Sequence, residues 1–123
     1  MSRLAILIGA GNIAAAIMLS AYGAHALRGN WLQDRYSIFQ IAVDYHLYHS
    51  LGLVVVGLLL AQHTNRGLLK IAAVVLLAGI VLFSGSLYTL SLSGLDWAGK
   101  MTPFGGIALI GAWGLVMLSY IKK

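Results

Sequence analysis

The chain has no cysteine, a single proline and only three acidic residues among its 123. Without cysteine there is no disulfide framework, no thiolate metal site and no cysteine nucleophile, and the redox compartment stays open. Charged residues make up 9% of the chain and hydrophobic ones 60%, a balance that excludes a soluble globule of this length. The eight Lys and Arg give a formal net charge of +5. They stand singly or in pairs, with no basic cluster interleaved with aromatics, so nucleic acid is excluded as a partner. A nucleophile elbow is also missing: FSGSLY, Phe83 to Tyr88, lacks the GxSxG spacing and no strand pattern precedes it.

What the chain has is long uncharged runs. Leu4 to Leu27, Tyr45 to Asn65, Ile71 to Leu95 and Met101 to Ile121 contain no Lys, Arg, Asp or Glu. Each can cross a bilayer, which takes roughly 20 helical residues. The connections, Arg28 to about Gln33, Gln62 to Gly67 and Asp96 to Lys100, are short, and short loops make consecutive helices antiparallel neighbours. The expectation is therefore an all-α membrane protein, with four transmembrane helices in an up-down antiparallel bundle. It forms a single domain over 1–123, with spans near 4–27, 43–62, 71–95 and 102–121. The first window imitates a signal peptide, with Arg3 before it and AHA at Ala24 to Ala26. Its length favours a retained helix. The two halves show no convincing repeat, which argues against an inverted-repeat transporter.

An even number of spans puts both termini on one side, together with Arg3, Arg66, Lys70, Lys122 and Lys123; the other side has Arg28, Arg35 and Lys100. This bias points to cytoplasmic termini in an inner membrane. The partners expected are the lipid bilayer and another membrane protein or a second copy of the chain, with no cofactor.

The most concentrated chemistry is DYHLYHS, Asp44 to Ser50, directly before the apolar LGLVVVGLLLA. That apolar run is about half a hydrocarbon core long, so the helix must draw its polar turns into the membrane end. At about 100° per residue, Tyr45, His49 and Gly52 form one stripe and His46 with Ser50 another, leaving Val43, Leu47 and Leu51 to face lipid. His49 is expected to be the deepest ionisable group, turned toward His25 and the Ser84 to Tyr88 segment. Asp44, nearer water, is expected to pair with Arg28 or Arg35. The candidate polar-layer or ligand site is thus His25, Tyr45, His49, Ser84, Ser86, Tyr88 and Thr102, with Asn12, Asp44 and His46 as secondary candidates. Ionisable groups inside a membrane are a site hypothesis by default. The blander reading, an interfacial belt with interhelical hydrogen bonds, is favoured. A zinc site from His46 and His49, with His25 or Asp44 as a further ligand, lacks a glutamate base, and the two ring directions differ by roughly 60°. A haem held by His25 and a histidine of the second helix is chemically allowed but has no further support. No metal and no catalytic residue is assigned.

Small residues suggest where helices approach. Gly85 and Ser86 in the third helix, the ladder Asn12, Ala16, Ser20, Ala24 in the first, and Gly105, Gly106, Gly111 and Gly114 in the fourth are read as packing positions. Thr102 and Pro103 read as the cap and first position of the fourth helix, and Asn30 with Gln33 as a capping box for the second.

YGAHAL at Tyr22 to Leu27, YHLYHS at Tyr45 to Ser50, FSGSLY at Phe83 to Tyr88, and TPFGG with the later Trp113 carry a resemblance over nearly the whole chain. In order and spacing they resemble the YgdD-like family, small bacterial inner-membrane proteins grouped as a domain of unknown function, with a small eukaryotic transmembrane relative. The resemblance implies four helices in the bacterial inner membrane and supplies no activity. Its motif positions here are Gly23, His25, Tyr45, His49, Ser84, Gly85, Ser86, Tyr88, Thr102, Pro103, Gly105 and Gly106; Asp44 and His46 stand outside them. The function expected is that of a non-enzymatic accessory or assembly partner. The alternative is binding or transport of a small molecule, proton or lipid headgroup through the polar layer near the outer face.

Overall fold

In lipid a backbone must satisfy its own polar groups, so an uninterrupted apolar run becomes helix. The computed structural model describes residues 1–27, 33–62 and 67–121, apart from the side chains at 26, 27, 33 and 34. Its helices are α1 (Ser2–Tyr22), α2 (Gln33–Gln62), α3 (Gly67–Ser93) and α4 (Asp96–Ile121). All four are long and apolar enough to cross a membrane, and no strand occurs among the described residues. The Asn30–Gln33 capping box, His63 and Arg28 lie outside the residues or side chains described.

Two helix ends depart from expectation. The first helix does not run regularly to Leu27; α1 passes into a π-helical turn over Gly23–Leu27. The wider turn changes the angular step per residue, so side chains beyond Tyr22 no longer follow the phase of α1. Gly23 lies under the Phe39 ring, whose nearest atom would be 2.5 Å from a Cβ at that position. At the other turn, Gly94 adopts a left-handed φ of 74° and its N–H donates to the Leu90 carbonyl at 2.8 Å. This αL cap lets the chain re-enter helix after only Gly94 and Leu95. Asp96 then begins α4, where a carboxylate favours the helix N-terminus. Thr102 is consequently no cap. Pro103 lies inside α4 instead of at its first position, and its missing N–H leaves the Gly99 carbonyl without that helical bond.

Packing follows chain order: α1 on α2, α2 on α3, α3 on α4. The two middle helices are central and the outer two are largely exposed. One apolar core joins Leu53, Val56 and Leu60 of α2 to Leu69, Leu76 and Ile80 of α3, with Leu109 and Ala112 of α4. A second, smaller one holds Phe39 and Val43, packed by Leu19, Tyr36 and Tyr88. Between the two cores α2 presents His46 and Ser50, both buried.

Backbones come close at particular glycines. A Cβ on Gly9 would meet the Ser50 carbonyl oxygen at 2.9 Å, so α1 rests directly on the α2 backbone. A Cβ on Gly105 would lie 2.3 Å from the Phe83 nitrogen and 2.7 Å from its Cα. The expected role of Gly85 is therefore corrected: nothing lies within 4 Å of its Cβ position, and the same is true of Gly111 and Gly114. The FSGSLY contact is made from the opposite side, by the glycine of α4 against the backbone at Phe83.

Candidate functional site: a polar layer between the helices

The inward face of α2 is Phe39, Ala42, Val43, His46, Ser50 and Leu53, all buried and recurring at helical spacing. His46, 6% exposed, is the buried histidine of the layer. Its Nε2 lies 2.8 Å from Oδ1 of Asn12 on α1, and its Nδ1 lies 3.0 Å from the hydroxyl of Tyr88 on α3. Asn12 Nδ2 donates to the Ile8 carbonyl at 2.8 Å, which fixes the direction of the amide. An amide oxygen can only accept. Nε2–H of His46 therefore donates to Asn12, and Nδ1 accepts from Tyr88. One neutral imidazole thus ties three helices, with both ring nitrogens occupied. The Tyr88 ring adds an edge-on contact to His46, centroids 5.7 Å apart, and a tilted contact to Phe39 at 5.6 Å.

Further ties flank this one. Ser84 donates to the Ala42 carbonyl at 2.9 Å, joining α3 to α2. Ser86 donates to its own helix at the Phe83 carbonyl, so the 2.6 Å contact with Thr102 is a bond in which Thr102 donates. Arg35 Nε donates to the Ser91 carbonyl at 2.9 Å. Thr89 donates to the Gly85 carbonyl, and Ser93 to the Thr89 carbonyl, both within α3. Ser50 carries a buried hydroxyl without a hydrogen-bond partner among the described residues.

His49 looks elsewhere. Trp113 of α4 donates its Nε1–H to His49 Nδ1 at 3.1 Å. The indole lies over Gly52, where a Cβ would be 2.4 Å from the ring. His49 is half-buried and stands beside Tyr45, whose ring is 5.8 Å from the imidazole and 4.8 Å from Phe83.

Of the expected site residues, the structure joins Ser84, Ser86, Tyr88 and Thr102 to the layer, together with the secondary candidates Asn12 and His46. His49 and Tyr45 form a separate group against α3 and α4. His25 is exposed on the π turn, and Asp44 is exposed at the rim. The expectation that His49 faces His25 and the Ser84–Tyr88 segment is thus corrected: His46 faces that segment. The reason is the rotation of α2. Val43, assigned to lipid, is buried, while Tyr45 is 40% exposed. His46 and His49 point at different helices and do not chelate, and among the described residues no group of three or more His, Asp or Glu could hold a metal ion. Two connections were not anticipated: Asn12 to His46 and Trp113 to His49. The first had a signal, because Asn12 is the one amide side chain in the first apolar window and a polar group at that depth requires a partner.

Four membrane-length helices stapled by side-chain hydrogen bonds define a small multi-pass membrane protein. The chain belongs to the family described as "Protein of unknown function (DUF423)", whose model matches residues 19–106. It is 42% identical over 118 residues to the UPF0382 membrane protein YwdK of Bacillus subtilis, covering 95% of each chain. It is 37% identical to the UPF0382 membrane protein SH2409 of Staphylococcus haemolyticus, over 98% of this chain and 97% of that one. The UPF0382 membrane protein SERP0230 of Staphylococcus epidermidis is 41% identical, over 95% of this chain and 94% of the other. No solved structure matches the chain.

Proposed function

We propose that this membrane protein is a non-enzymatic accessory or assembly partner of the bacterial inner membrane. The observation that carries the reading is the state of His46. The buried histidine of the layer has both nitrogens engaged in holding helices together, which is the work of a scaffold. The outer faces of α1 and α4 are apolar, with Leu7, Ile17 and Met18 on one and Ile107, Ile110 and Ile121 on the other, and these faces are offered to lipid or to a partner. Isolation from native membranes in mild detergent tests the reading. A stoichiometric membrane protein should accompany the chain. Isolation of the chain alone, with a retained chromophore or metal, would overturn it. The YgdD-like resemblance supports the inner membrane as the location on its four motifs.

The termini are proposed to be cytoplasmic, from the five-to-three distribution of Lys and Arg. Reporter domains fused after Lys123 and inserted at the Gly94–Leu95 turn should give opposite signals, with the Lys123 fusion active only as a cytoplasmic reporter. A periplasmic signal at Lys123 reverses the orientation.

One observation favours a second reading, a binding site in the membrane. His49 Nδ1 accepts from Trp113, so the neutral ring has its proton on Nε2, and that donor has no partner among the described residues.

A further inference from the structure

We infer that the groove beside His49 binds a lipid-soluble quinone, whose ring lies among the aromatic side chains and whose carbonyl oxygen accepts from His49 Nε2–H. The inference deepens the second reading above and rests on it. The groove has a volume of about 340 Å³ and runs between α2, α3 and α4. Its walls are the rings of Tyr45, Phe83 and Trp113 with Leu109 and Ile110, and His49 is the one titratable histidine among them. Gly106 keeps one side low.

Three features select the ligand. First, no Lys, Arg, Asp or Glu lines the groove, so a phosphate or ammonium headgroup would be buried there without a counter-charge. The occupant is neutral. Second, Trp113 fixes the imidazole tautomer through Nδ1 and leaves Nε2–H as a donor, beside the Tyr45 hydroxyl on the same wall, which can donate as well; both call for an acceptor. A saturated acyl chain has none, and would leave these donors unmatched. Third, the walls are flat. Tyr45 and Phe83, 4.8 Å apart at 31°, pack on one another as one aromatic surface, and the indole is held over Gly52, so a planar ring can lie against these walls, though not between the two packed rings. Ile110, 74% exposed, and Tyr45 at the rim open toward the lipid-facing surface. A ring can enter sideways and leave its tail in the bilayer. A neutral, planar, lipid-borne ring with a carbonyl acceptor is a quinone. The His46 network, about 60° around α2, engages Asn12 and Tyr88 and takes no part.

The test uses the full chain in phospholipid nanodiscs. Trp31→Phe and Trp97→Phe leave Trp113 as the reporter, and a benzoquinone carrying a decyl tail is titrated in. Saturable quenching of Trp113 is expected, and His49→Phe, which keeps a ring but removes the donor, should weaken it about tenfold, the change expected for one hydrogen bond. Gly106→Leu should abolish the saturable phase by filling the groove, and it keeps the test decisive if His49→Phe does not fold. Linear, non-saturating quenching that is identical in the parent and both variants overturns the proposal. So does equal competition by a long-chain alkane, which would assign the groove to acyl chains. In that case the broader reading of a membrane binding site survives. Absence of any saturable ligand together with no lipid retained in native mass spectrometry removes both.

Discussion

Gly105→Ala should sharply lower the yield of folded protein, with a cost of about 3 kcal/mol. The added Cβ would meet the backbone of α3 at Phe83, 2.3 Å from its nitrogen, and a backbone cannot swing aside as the end of a side chain can. The helices must separate. Moving α4 away stretches the Thr102–Ser86 bond and loosens the contact of Leu109 with Gly79, where a Cβ would already be 2.7 Å from the leucine methyl. Gly85→Ala, two residues along the facing helix from Phe83 and with open space at its Cβ position, should be nearly neutral. Detergent gel filtration and thermal unfolding of the two variants decide the matter. Equal tolerance at positions 85 and 105 would show that α3 and α4 do not pack through Gly105.

His46→Ala should destabilise the bundle by about 3 kcal/mol, combining two lost interhelical bonds with a cavity and two stranded partners, Asn12 Oδ1 and the Tyr88 hydroxyl. His49→Ala should cost about 1 kcal/mol, because His49 is half-buried and makes one bond, to Trp113. The Asn12→Ala and His46→Ala pair should be non-additive by about 1 kcal/mol, since each removes the same contact. Thermal unfolding of the single and double variants in detergent measures this coupling. Strict additivity, or a larger loss at His49 than at His46, would remove His46 from the centre of the layer.

The four helices could be read from the sequence because membrane length and freedom from charge are properties of composition alone. The rotation of each helix could not. In water an apolar stripe marks the buried face, but in lipid both faces are apolar. Val43 and Leu51 are both good lipid residues, yet one is buried and the other exposed. If both residues faced lipid, His49 would turn inward in place of His46. The better guide was residue size: Ala42 and Ser50 flank His46 on the buried stripe, where neighbouring helices come close. The glycines were hard to read for a related reason. A glycine in a helix says that a backbone can approach, and only the neighbour's position tells whether one does; Gly105 has it and Gly111 does not. The end of α1 is hidden because apolar composition and period do not distinguish a π turn from an α turn. The start of α4 falls earlier than Pro103 suggests as a boundary, because Gly94 and Asp96 already supply the turn and the helix start.

The sequential packing of the helices also bears on how the protein can be built. A chain delivered to the membrane from its N-terminus completes the α1–α2 hairpin first, and Asn12 and His46 are both in it. The costliest polar pair can thus be matched before α3 has been synthesised. The second hairpin likewise contains its own pair, Ser86 with Thr102. What remains for the docking of the two hairpins is a set of single donors meeting single acceptors: Tyr88 at His46, Ser84 at the Ala42 carbonyl and Trp113 at His49, with Arg35 of the first hairpin donating the other way, to the Ser91 carbonyl. Insertion can therefore proceed in two steps, each leaving few polar groups facing hydrocarbon, and the last step locks the register of one hairpin on the other.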